Sequence, residues 1–275
     1  MNNQNTRQIQ LKCLEILDIV HNICVENNIE YSLCGGSVVG AHLYKGCLPW
    51  DDDVDIMMTR ENLSKFLEIA PGLLPKGFSI YNFHETADFH NGVTKVVNEN
   101  TTYVEKNGKV LGVFLDITVY DKVPLNPLLR WIDMFLCARS LTAIQGKMEG
   151  YGLKKLVRDF IIDLFLSDKR RFFLFFEKVV VAIGKHTKKY SYSELFGAWA
   201  QTISYKPSVF ENYSTIEFEG KQYMIVRDYI EYLQTRYNRT DFREPKEKQL
   251  ASHIAFYDEN LPYKEYLRRK ESESK

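Results

Sequence analysis

The residues of this 275-residue chain whose types and spacing could do chemistry lie between Tyr31 and Met58, where Gly35-Gly36-Ser37 precedes Pro49-Trp50-Asp51-Asp52-Asp53-Val54-Asp55-Ile56. Two glycines after a short apolar strand, Tyr31 to Cys34, permit close backbone approach, and Ser37 suits the cap of a helix running through Tyr44. The start of such a helix suits a phosphate, because its first amides have no partner within the helix and its dipole favours negative charge. Val54 to Met58 reads as a buried strand, and strand alternation puts Asp53 and Asp55 on one face. Carboxylates held side by side repel each other unless a cation lies between them. Hard oxygen ligands at this density suit Mg²⁺ or Mn²⁺ together with a substrate phosphate. Taken singly, a Gly-Gly-Ser is more often a turn and an Asp run a solvated loop. A mere turn does not require four acids beside an apolar strand, so the combination points to a nucleotide-type metal site.

A second strand carries the other informative acid. In Gly112 to Tyr120, Val113, Leu115, Ile117 and Val119 make one apolar face, while Phe114, Asp116, Thr118 and Tyr120 make the other. A carboxylate between hydrophobic neighbours is costly unless paired or metal-bound. The alternative is an edge strand with Asp116 in water.

The first stretch resembles the signature of the LicD family: Gly35, Gly36, Ser37, Gly40, Ala41, Gly46, Pro49, Trp50, Asp51, Asp52, Asp53, Asp55 and Ile56 match its pattern. The resemblance implies a nucleotidyltransferase-type fold. It also implies transfer of a phosphorylated group, typically phosphocholine from CDP-choline, to a cell-surface glycan or its lipid-linked precursor (teichoic acid, lipopolysaccharide or capsule). On this reading Asp53, Asp55 and Asp116 are catalytic and hold Mg²⁺ or Mn²⁺, with Asp121 the second acid of the Asp116 element. Gly35, Gly36 and Ser37 hold phosphates, and Trp50 is either a pocket wall or a cation–π partner for a quaternary ammonium. Lys95 is expected to touch a phosphate, although Asn98 stands where the family has a second basic residue. Further on, Phe218 to Val226 reads as a hairpin and Asp228 as the cap of a helix from Tyr229 to Tyr237, similar to the family's Phe-x-Gly and Tyr-Leu-x-x-x-Tyr elements. Asn238-Arg239 replaces the family's Gly-Asp. Glu244 to Lys248 and His253 resemble its Pro-Pro-Glu-Glu-Lys-Arg and distal His, with Gln249 for the arginine, which makes Lys248 and His253 candidate substrate ligands.

Positioning these residues requires a helix from about Thr6 to Asn27, another from Arg60 to Ala70, and strands at Phe78 to Phe83, Val93 to Val97 and Thr101 to Val104. From Pro124 the pattern turns helical, with segments Leu128 to Lys147, Leu153 to Leu166 and Arg170 to Lys185. The expected fold class is α+β: a nucleotidyltransferase-type mixed-sheet core over residues 1–123, a helical insertion over 124–205, and a C-terminal part, 206–275, completing the site. The tail Arg268 to Lys275 reads as disordered.

Lys plus Arg (36) equals Asp plus Glu (36), so no net field supports general nucleic-acid binding. Met1 to Arg7 has no apolar run to direct export, and five cysteines without a Cys-x-x-Cys pair read as reduced thiols filling the core. A cytoplasmic location follows, at the inner membrane face if the acceptor is lipid-linked. Glu177 and Lys178 interrupt Phe172 to Ile183, so that helix does not span a membrane. Lys169-Arg170-Arg171 before Phe172 to Phe176 has the composition of a helix resting on an anionic surface, with ordinary helical packing the stronger expectation. His21 reads as a core histidine. The rival function is a nucleotidyltransferase moving a nucleoside monophosphate from an NTP to a sugar or small molecule, which the fold alone allows. A non-catalytic scaffold is the third reading, disfavoured by the presence of all three acids.

Overall fold

The computed structural model describes residues 3–84, 93–145, 169–196, 203–242 and 254–273. It forms two compact units, one of Met1–Tyr81, Lys95–Thr118 and Ser208–Lys275, the other of Asn82–Thr94 and Val119–Pro207. The C-terminal segment groups with the first part of the chain, and Asn82–Thr94 with the helical region.

The first unit opens with helix α1 (Asn3–Glu26), then β1 (Ser32–Leu33), α2 (Gly35–Tyr44), β2 (Asp55–Thr59), α3 (Arg60–Ile69), β3 (Phe78–Tyr81), β4 (Thr94–Glu105) and β5 (Val110–Pro124). Ile9, Cys13, Ile16, Leu17, Val20 and Cys24 of α1 recur at helical spacing and are all buried. Thr59 caps α3 by accepting the Asn62 amide. The strands order β1-β2-β5-β4-β3. The two short strands expected at Val93 to Val97 and Thr101 to Val104 are one strand, β4. Its polar middle imitates a turn in sequence but is bridged by side chains: the Asn98 amide oxygen accepts the Asn100 N–H (3.1 Å), and the Thr101 hydroxyl donates to the Asn98 carbonyl (2.8 Å) while accepting the Val113 N–H (2.8 Å). β5 lies between β2 and β4, so Asp116 is on a central strand and not on an edge.

In the second unit the end of β5 pairs antiparallel with β6 (Tyr190–Ser193), Asp121 opposite Ser193. Helices α4 (Pro127–Gln145) and α5 (Lys169–His186) match two of the three long segments expected; Leu153 to Leu166 lies outside the described residues. Phe173 of the aromatic run is buried with Phe83, Val123, Cys137, Val180, Leu195 and Phe196, with Leu174 packed against them, whereas Phe175 is exposed. Among the described residues no helix is long and apolar enough to cross a membrane.

The chain then returns to the first unit with β7 (Tyr213–Phe218), β8 (Lys221–Val226), α6 (Tyr229–Tyr237), β9 (Ile254–Asp258) and α7 (Tyr263–Glu273). The hairpin begins at Tyr213, ahead of the Phe218 expected, and β9 pairs antiparallel with β4. Asp228 stands at the N-cap of α6 without a side-chain cap bond. The tail expected to be disordered from Arg268 is helical to Glu273, with Arg269 bonded to Glu265 and Lys270 to Glu273 (2.9 Å). None of the five cysteines is in a disulfide, and all five are buried.

Glu219, in the β7–β8 turn, fastens the hairpin to the end of α2. Its carboxylate accepts both Arg7 nitrogens (2.9 and 2.7 Å) and the Cys47 N–H (2.9 Å), and its own N–H donates to the Lys45 carbonyl (2.7 Å). The Arg7 hydrogen bond holds this carboxyl below the usual glutamate range. A depressed folded pKa contributes stability above the unfolded value of about 4.3 and loses it as pH falls through the folded value. Because Arg7 is half exposed, Glu219→Gln should cost only about 1–2 kcal/mol in urea unfolding at pH 7, and the difference should shrink at more acid pH. An unchanged gap in strong acid would show that the carboxylate charge contributes nothing.

Candidate active site

The site is built where α2 begins and β2 begins, and backbone bonds join the two. The Cys34 N–H donates to the Asp55 carbonyl (2.9 Å), and the buried Ser37 hydroxyl accepts the Asp55 N–H (2.9 Å). The cap residue is therefore Cys34, not Ser37, and the helix starts at the first glycine. Ser37, one turn in, uses its hydroxyl to set the start of the acidic strand. Gly35 takes φ +54°, left-handed backbone where a side chain is strained, and its N–H donates to the Tyr232 hydroxyl (3.1 Å). At Gly36 an added Cβ would come within 2.6 Å of the Asp51 carboxylate, so this glycine lets an acid lie directly against the helix start.

The acids follow on the loop into β2, which α1 holds in place: the Gln10 side-chain amide donates to the Leu48 (2.9 Å) and Asp51 (2.8 Å) carbonyls. Asp51 and Asp53 lie within hydrogen-bonding reach, and burial together with repulsion from Asp53 pushes the Asp51 carboxyl up to about 8. Burial first, then Asp53, Asp116 and Asp51, push Asp55 well above the carboxylate range, while Lys95 pulls it down. Asp52 points elsewhere: it is buried and accepts the Tyr103 hydroxyl (3.1 Å). Asp53 and Asp116 are thus both close enough to act on Asp55, although Asp53 lies in the loop ahead of β2 and not in the alternating strand.

Two expected ligands meet each other. The Lys95 ammonium lies 2.5 Å from Asp116 Oδ1 and 3.3 Å from the centre of the Phe114 ring, with Lys95 buried. Trp50 is half-buried, and its ring meets Tyr44 edge-on at 6.1 Å. Lys248 and His253 lie outside the described residues. His21 has no place in the site; its Nδ1 and the Tyr31 hydroxyl share a 2.7 Å hydrogen bond.

Among the described residues no three His, Cys, Asp or Glu side chains stand close enough to surround a metal ion. The donor chemistry nonetheless fits a hard dication. Asp51, Asp53 and Asp55 are oxygen donors; burial first and then mutual repulsion raise Asp51 and Asp55, and a bound Mg²⁺ or Mn²⁺ would relieve that repulsion. Asp53 and Asp55 would hold the ion, with substrate phosphate filling further positions.

The structure adds residues that the sequence motif does not name. A Cβ on Gly35 would lie 3.5 Å from the Arg236 guanidinium and 3.7 Å from Asp55 Oδ2, so Arg236 brings a cation to the same point as the glycine and the acid. Tyr232 and Arg236 are four residues apart on α6 and share its face toward α2. The signal was inside the quoted Tyr-Leu-x-x-x-Tyr element, at one of its unspecified positions.

The chain thus combines an α+β fold with a glycine-led helix and an acidic cluster at the adjoining strand. Residues 28–123 match the family model for the LicD/FKTN/FKRP nucleotidyltransferase domain. The chain is 27% identical over 263 residues to the lipopolysaccharide cholinephosphotransferase LicD of Haemophilus influenzae, covering 90% of this chain and 96% of that protein. Shorter similarities link it to uncharacterized proteins of Rickettsia typhi (27% over 114 residues, 42% of this chain and 34% of that one) and Rickettsia prowazekii (29% over 70 residues, 26% of each).

Proposed function

We propose that the chain is a phosphotransferase that moves phosphocholine from CDP-choline to a hydroxyl of a cell-surface glycan or its lipid-linked precursor, working at the cytoplasmic face of the membrane with Mg²⁺ or Mn²⁺. The observation that carries this reading is the meeting of phosphate-type and carboxylate-type elements at one point, Gly35 beside Asp55 and Gly36 beside Asp51. The cholinephosphotransferase relative supports the choline, since its similarity runs through nearly the whole of both chains.

The acceptor oxygen attacks the phosphorus that bears the choline, in line with the bridging oxygen of the diphosphate. The bond to that bridging oxygen breaks, and CMP leaves with it. Asp116 receives the hydroxyl proton, and the Lys95 ammonium, 2.5 Å away, holds its carboxylate in place. The α2 start and Arg236 orient the diphosphate. Asp53 and Asp55 would hold the Mg²⁺ or Mn²⁺ ion, which would supply charge neutralisation for the donor's diphosphate.

Incubation of the purified chain with CDP-choline and a glycan acceptor should release CMP, and a chelator should abolish the release until Mg²⁺ or Mn²⁺ is restored. Pyrophosphate release from a free NTP, with CDP-choline untouched, would replace this reading with nucleotidyl transfer. Trp50 tests the choline. If its half-buried ring faces the ammonium, Trp50→Leu should weaken use of CDP-choline by about 0.5–2 kcal/mol while sparing a polyol-phosphate donor. Equal losses on both donors would make Trp50 a wall.

A further inference from the structure

The second unit is strongly basic although the whole chain is neutral. Its residues, 82–94 and 119–207, carry fifteen Lys and Arg against ten Asp and Glu, so fifteen minus ten leaves +5 in a chain whose total is +0. The four acids described there, Asp121, Asp133, Glu177 and Glu194, are all buried. The exposed charges described there, Arg171, Lys178, Lys185, Lys188, Lys189 and Lys206, are all positive.

The same unit exposes apolar side chains in an ordered row. Leu128, Trp131 and Phe135 of α4 are 66%, 62% and 45% exposed, and their spacing of three and four residues places them on one stripe. Leu125, just before the helix, is 53% exposed, and the Trp131 and Phe135 rings stack at 5.6 Å. The opposite face of α4 buries Asp133 and Cys137, so the stripe is the outer face of a helix already packed on its inner side. The Leu125 N–H donates to the Lys189 carbonyl (2.9 Å), which sets Lys188-Lys189 at the end of the apolar row. α5 repeats the combination, with Phe175 61% exposed between exposed Arg171 and Lys178.

We propose that the outer face of α4, with Lys188 and Lys189 beside it, docks on an anionic lipid bilayer. A bilayer surface offers both things that this face asks for: an apolar layer for leucine and aromatic rings, with Trp131 at the level where indoles collect, and negative headgroups for the lysines. A second copy is a poorer occupant, because a two-fold interface would set these lysines against their own copies. The purpose of such docking rests on the lipid-linked acceptor proposed above. The binding itself does not.

The test is co-sedimentation of the full chain, without donor, with vesicles of phosphatidylcholine alone and with vesicles that also contain phosphatidylglycerol. The chain should bind the anionic vesicles, and added salt should weaken binding. Lys188→Glu/Lys189→Glu should weaken it by about tenfold or more, and Leu128→Ser/Trp131→Ser should do the same with the melting temperature unchanged. Transfer to a water-soluble acceptor should remain at the wild-type rate in both variants. Vesicle binding without any CMP release would sink the phosphotransfer reading and leave the docking surface standing. No binding to anionic vesicles, equal binding by wild type and variants, or a concentration-dependent dimer that disappears in Leu128→Ser/Trp131→Ser would overturn the docking surface.

Discussion

Asp55→Asn is expected to lower the single-turnover rate by about 100-fold or more and at the same time to raise the melting temperature of the metal-free protein. Both effects follow from the same crowding. Burial, Asp53, Asp116 and Asp51 all raise the Asp55 carboxyl, so in the absence of a cation the ionised form works against the fold. A raised folded pKa means that the folded state holds more protons than the unfolded one above about pH 4, and stability then falls as pH rises. For Asp51 that window runs from the ordinary aspartate range up to about 8. Metal-free wild type should therefore melt progressively lower from pH 5 to pH 8. Asp55→Asn should flatten that slope, because it removes one acid and relieves its neighbours. Asp116→Asn, measured beside it, separates the roles: a lost proton acceptor should cost about 100-fold, whereas Asp116 in a purely structural pair should leave the rate alone while stability drops. A dead Asp55→Asn with a near wild-type Asp116→Asn would confine the site to the Gly35–Asp55 stretch.

The acidic strand and the glycine-led helix were legible because both are local. Glycine tolerance, strand alternation and the cost of crowded carboxylates act within about twenty-five residues, and the structure joins the two ends with the Ser37 and Cys34 bonds to Asp55. What the hydroxyl of Ser37 does was not legible. As a cap residue or as a buried bridge it has the same sequence context, and only the position of β2 decides between them. The centrality of β5 was half legible. Its two-faced pattern required one covered face, but whether Asp116 met water or a partner depended on strand order, and Lys95 comes from β4.

The contribution of the C-terminal segment was the least accessible. Glu219 reads as a turn residue, yet its carboxylate reaches Arg7 and Cys47, far away in sequence. Arg236 is one charged residue on an amphipathic helix, and no local rule distinguishes it from a solvated one. Its significance comes from α6 lying with Tyr232 against the start of α2. The break expected in the middle of β4 failed for the converse reason: Asn98 and Asn100 favour turns through side-chain bonds to backbone, and in this strand those bonds fill the gap without ending the pairing.

Lys95→Met should destabilise the chain by about 2–3 kcal/mol, somewhat less than the ~3–5 kcal/mol typical of breaking a fully buried pair. The discount reflects partial solvent access, since the Asp116 side chain is 21% exposed against 7% for Lys95. Methionine retains most of the stem that lies against Phe114 but leaves Asp116 charged without its ammonium, and it removes the pull that keeps Asp55 from rising further. The loss should therefore depend on the partner's charge. In an Asp116→Asn background the same substitution should cost at least about 1 kcal/mol less, the coupling expected for two groups in direct contact. An equal cost in both backgrounds would assign the effect to packing on Phe114 and not to the ion pair. The catalytic consequence separates two uses of the ammonium. If Lys95 serves the reaction only by holding Asp116 in place, Lys95→Met should lower the turnover rate with little change in donor KM. If it leaves Asp116 to grip the donor phosphate, KM for the donor should rise as well.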